Sequence, residues 1–226
     1  MSLTETITQA FDYCMTNSID IPLDLHARAR NVGAIKAAGL DDINVIYHDE
    51  VTQALVTYFE GGIITAPRNR FRQATTSAFY DAFYLGWADG GGGTPDPDGI
   101  AWLDARIAQE YTYIDALMEQ VKMMRKDGDP DWFEWVTQRA SGYTATLLGV
   151  YNAAKMLGLK GQLLTWNLGN TEKHCETCSQ LNGQRHRASW YISRNYIPRQ
   201  PGASMLCGGY YCDCSLTDGN DNVVTI

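Results

Sequence analysis

Apolar residues recur every three or four positions over most of this 226-residue chain, and the recurrence stops at Gly- and Pro-rich breaks. Leu3, Ile7, Ala10, Phe11 and Cys14 predict a first helix ending near Thr16, with Cys14 as a small buried hydrophobe on its apolar face. A second is expected from Leu23 to Ala38, closed by Gly39, and Asp41 to Tyr47 reads as a short strand or extended link. Val51, Ala54, Leu55, Tyr58 and Phe59 restore the helical spacing up to Gly61-Gly62. Behind Pro67 comes an aromatic-rich stripe, Phe71, Ala74, Ala78, Phe79, Ala82 and Phe83, which reads as a packing face.

The segment Gly90 to Gly99, GGGGTPDPDG, has the composition of an exposed, turn-rich loop, and it lacks the Lys-Ser/Thr of a phosphate-binding loop. Beyond it, Leu103, Ile107, Tyr111, Ile114, Leu117, Met118 and Val121 mark one face of a long helix over Ile100 to Arg125. Asp127-Gly128-Asp129-Pro130 ends it, and a last helix is expected from about Asp131 to Leu157. The carboxylates on these helices are spaced as solvated faces. Leu163 to Trp166 reads as a strand.

The chain then changes character. Five of its six cysteines fall in the last quarter, at Cys175, Cys178, Cys207, Cys212 and Cys214, amid Gly and Asn with little apolar periodicity. A Cys-x-x-Cys turn sets two thiolates on one side of the backbone, and a second close pair from a distant turn completes a tetrahedral site of the kind zinc favours. The expected metal ligands are Cys175, Cys178, Cys212 and Cys214, with Cys207, His174 and His186 as substitutes. Disulfides or free buried thiols are the alternatives. The polar N-terminus lacks the apolar core of an export signal, which favours thiols kept available for metal. The fold expected is therefore mainly α: a helical body over 1–159, followed by a Cys-rich zinc-binding module over 160–226 with short β-strands.

Charge divides along the same line. Residues 1–159 carry 12 Lys+Arg against 21 Asp+Glu, net −9, whereas 160–226 carry 6 against 5, net +1. An acidic helical body is unsuited to direct DNA binding, and no apolar run reaches the length of a membrane span. No Gly-x-Ser-x-Gly or His-Glu-x-x-His motif occurs. The enzymatic alternative is a ββα-metal nuclease using His174, Asn182 and His186 beside a structural zinc, although acidic metal ligands are missing nearby.

One ordered set of motifs resembles a known family. Arg139-Ala140-Ser141-Gly142-Tyr143 and Tyr151-Asn152-Ala153-Ala154 come first, then Thr165-Trp166, then His174-Cys175-x-x-Cys178-x-x-Leu181-x-Gly183, Pro201 and Cys212-x-Cys214-x-Leu216. The series is similar to the C-terminal region of tailed-phage head morphogenesis proteins, the minor head proteins of the Mu F-like group, over about a third of the chain. Where that group commonly ends His-Pro-x-Cys-Arg-Cys, this chain has Asp213 in place of the arginine and no histidine, with Cys207 a possible replacement ligand. The Glu of the group's Arg-x-Glu start is also missing, so no catalytic residue carries over. The resemblance implies a non-enzymatic virion protein, assembled in a bacterial host cytoplasm. Its partners would be portal or capsid proteins, and its role head assembly or DNA delivery. The other binding-module reading is a zinc-stapled bacterial interaction protein unrelated to phage.

Overall fold

A computed structural model describes residues 32–128, 130–159, 161–200, 203–209 and 213–224. The chain divides into two compact units, Met1–Ala37 and Ala38–Ile226. The helix expected near Leu3 and its Cys14 lie outside the described residues, as do most of the second helix, Pro201 and Cys212. The expected boundary at 159/160 falls inside the second unit.

The protein is mainly helical, with a few short strands near its C-terminal end. Helix α1 spans Val32–Phe59 and is interrupted at Gly39, whose φ of 75° is left-handed. Asp41 to Tyr47 is helical, which corrects the strand expectation. Ile43, Tyr47, Val51 and Leu55 are buried at four-residue intervals, while Val45 and Ile46 stay exposed. The β-branched run suggested a strand, but burial of one helical face decided the conformation.

Helix α2 (Thr65–Asp89) runs along α4 (Trp132–Gly158) in the most extensive helix contact of the body, and α3 (Pro97–Asp127) packs on both. Phe71, Phe79 and Phe83 of α2 are fully buried, as the aromatic stripe required. Each such ring contributes roughly 1.5–3 kcal/mol through removal from water. The Asp96 side chain caps α3 by accepting the Gly99 amide proton at 2.8 Å, Pro97 occupies the first turn, and Gly128 closes the helix with φ 66°.

Two features depart from expectation. The glycine loop folds over Trp87: a β-carbon at Gly92 would lie 2.2 Å from the indole nitrogen, and one at Gly99 2.5 Å from the ring. Gly90 and Gly99 are buried, and the loop's exposed part is confined to its tip and the stretch around Pro97. The carboxylate reading fails at Glu110, which is 2% exposed and paired 2.8 Å from Arg106 one turn back on α3. Burial pushes the Glu110 carboxyl up, and Arg106 opposes that shift.

The C-terminal elements build a second layer. Strand β1 (Leu163–Asn167) is the centre of a three-stranded antiparallel sheet in the order β2-β1-β3, flanked by β2 (Arg185–Arg187) and β3 (Ser215–Thr217). Two short helices, α5 (Glu176–Leu181) and α6 (Ala188–Ser193), cover it. Trp166 is fully buried in a core that also holds Leu164, Tyr191, Leu216 and the α4 residues Ala153 and Met156. The sheet is thus built directly onto the last long helix. Among the described residues no helix is long and apolar enough to cross a membrane.

Candidate metal centre

Two turns carry the site. The first follows β1 and leads into α5, whose N-cap is Cys175: its sulfur accepts the Cys178 amide proton at 3.4 Å. The helix places Cys178 one turn on, so the two sulfurs lie 3.3 Å apart. Behind them Gly183, with φ 75°, reverses the chain and donates its amide proton to the Trp166 carbonyl at 2.8 Å. This bond hangs the Cys-x-x-Cys turn from the central strand.

The second turn runs from Ala203 to Gly209 and carries Cys207. Its Leu206 amide donates to the Thr177 hydroxyl at 3.3 Å, and its Gly208 amide to the Met205 carbonyl at 2.8 Å. Gly209 has φ 78°, and a β-carbon there would meet the Gln200 carbonyl oxygen at 1.9 Å. Only glycine permits that approach.

The outcome is a cluster of three thiols, Cys175, Cys178 and Cys207, whose sulfurs all lie within 4.8 Å of one another. With metal–sulfur bonds of about 2.3 Å, sulfurs in a tetrahedral site are separated by roughly 3.8 Å, so the cluster suits a thiophilic ion after small adjustments. Cys175, Cys178, Cys207 and Cys214 are not joined in disulfides. Burial pushes the Cys175 thiol up. Hydrogen bonds from the amides and thiols of Cys178 and Cys207 outweigh it and bring the group down to about 7 from 9.0. A thiol poised to ionise near neutrality is the form a metal requires. The donor set therefore fits a metal ion.

The other expected ligands are distributed differently. Cys214 lies in the hydrophobic core, 2% exposed, and stands outside the three-thiol cluster. Two positions before Leu216 on the entry to β3, it shares that residue's inward face. Cys207, read from the sequence only as a substitute, takes a place in the cluster. His174 lies outside it, its Nδ1 3.2 Å from the Thr171 hydroxyl. His186 stacks on Trp190 with ring centroids 3.7 Å apart. Asn182 accepts the Leu168 amide proton at 3.3 Å. Nothing among the described residues draws these two histidines into one metal-binding group.

Asp213 has a structural place. It pairs with Arg199 and accepts the Asn170 amide proton at 3.1 Å, tying three segments of the module together. Sequence reading had no signal for this, since Arg199 lies in an irregular stretch. Comparison with known proteins adds no relative: no protein-family model matches the chain, and neither does any curated protein or solved structure.

Proposed function

We propose that this chain is a minor head protein of a tailed phage, acting in head assembly or DNA delivery, with a C-terminal module held together by structural zinc. The observation that carries the reading is the convergence of Cys175, Cys178 and Cys207 from two turns within the stretch that resembles the Mu F-like group. Zinc is favoured over other divalent ions because the three donors are all thiolates and zinc has no redox chemistry to damage them. The proposed fourth ligand is Cys212, leaving Cys214 to the core.

A site closed by four thiolates gives no open position to a substrate, so its contribution is mechanical. It joins turns that are far apart in sequence and fixes them to β1. The long helices with aromatic faces would serve as the contact surface for portal or capsid proteins. The test is fractionation of assembled particles from the producing host. A few copies per head, together with portal and major capsid genes beside this one, is the expected result. Recovery only away from particles would overturn the phage reading while leaving the metal centre standing.

A further inference from the structure

The edge of the small sheet carries a groove of about 490 Å³, open to solvent and lined by Leu163, Arg185, His186, Arg187, Ser189, Trp190 and Ser193. No carboxylate lines it, in a chain with 26 Asp+Glu against 18 Lys+Arg. Among the described residues strand β2 pairs with β1 alone, so it is a sheet edge. Arg185 and Arg187 alternate with His186 along β2 and so project from one face, roughly 7 Å apart at the strand repeat. Both arginines are exposed and make no ion pair among the described residues. Ser189 adds a hydroxyl donor from α6, while the Ser193 hydroxyl donates to the Trp190 carbonyl at 3.0 Å.

The aromatic wall is already filled. The His186 ring lies parallel to Trp190 at 3.7 Å, and the Arg194 guanidinium carbon sits 4.1 Å from the same indole. Two groups at that height cannot share one face, so Trp190 is sandwiched and offers no open ring to a base. What the groove presents is a row of cationic and hydroxyl donors suited to anionic oxygens spaced along an extended chain.

We infer that this groove binds the phosphate backbone of a single-stranded nucleic acid, gripped by Arg185 and Arg187 and read without regard to base. The acidic body would keep contact confined to this patch. The inference is independent of the zinc and phage readings, because it uses neither the thiols nor the family motifs.

The test is fluorescence anisotropy of labelled thymidine and adenosine 20-mers with the full, metal-loaded chain at about 50 mM salt. Both oligomers are expected to bind within about twofold of one another. The paired substitution Arg185→Ala with Arg187→Ala should weaken binding at least about tenfold and reduce the logarithmic salt slope by about 1.4. Ser189→Glu places a carboxylate in the groove without removing a cation and should also weaken binding, whereas Lys122→Ala on the helical body should not. Thermal melting of each variant checks that the fold is kept. Absence of binding, undiminished binding by both groove variants, a strong preference for one base, or equal competition by polyglutamate would each overturn the inference.

Discussion

The Leu206 amide donates its proton to the hydroxyl of Thr177 at 3.3 Å, and this bond seats the turn bearing Cys207 against the helix bearing Cys178. It joins residues 29 positions apart in sequence. Neither residue offers a ligand atom to the cluster, yet together they set the approach of its third sulfur. Removing the hydroxyl with Thr177→Val should lower metal affinity by about tenfold, the usual scale for groups that orient ligands. Competition with a chromophoric chelator measures this directly, and an unchanged affinity would show that the bond positions nothing.

The cysteines divide into two roles that substitution separates. Cys207→Ser should lose stoichiometric metal and lower the melting temperature of the module. Cys214→Ala removes a small core side chain and should retain the metal, at a cost of about 1 kcal/mol in denaturant unfolding. Metal analysis of the two purified variants distinguishes them, and metal loss from both would make Cys214 a ligand.

Cys175 gives a pH signature in chelated protein. Its thiol is held at about 7, below the ordinary 9.0, because hydrogen bonds to the thiolate outweigh its partial burial. A depressed acid favours its charged form in the folded state. Its stabilising effect is therefore complete above about pH 9 and is lost as pH falls through about 7. Iodoacetamide alkylation at Cys175 should rise to half its plateau near pH 7, read by peptide mass spectrometry. A midpoint near 9 would remove the hydrogen-bond account.

The buried pair on α3 tests the helical body. Glu110→Ala strands Arg106 in an apolar setting over the Phe79 ring and should cost about 3–5 kcal/mol in urea unfolding. Replacing Arg106 and Glu110 together with leucines should recover most of that loss. A small effect of the single change would mean that water reaches the pair.

The long helices were legible in the sequence because burial and spacing agree there. The chain from Phe71 to Phe83 and from Leu103 to Val121 presents one face to the core, and both segments form as the periodicity predicts. Legibility failed where local and tertiary preferences diverged. Ile43 to Tyr47 is β-branched and aromatic, and the helix wins because Ile43 and Tyr47 fall on one buried face. Glu110 read as one more carboxylate on a solvated face, since nothing in the spacing reveals that it is buried beside Arg106. At the centre, spacing singled out Cys175 and Cys178 as the firmest pair, and the structure brings them into the cluster. Spacing did not rank Cys207 above Cys214, because that choice depends on the Ala203–Gly209 turn and on the inward face of β3.

Cys175, Cys178 and Cys207 are proposed to hold a structural metal ion. The direct measurement is metal content by mass spectrometry on protein purified without chelator, paired with a thiol count before and after chelation. One zinc per chain, with four of the six thiols masked until chelation, is the predicted result. A metal-free protein whose Cys175 and Cys178 are fully reactive before chelation, or joined to each other as a disulfide, would contradict it.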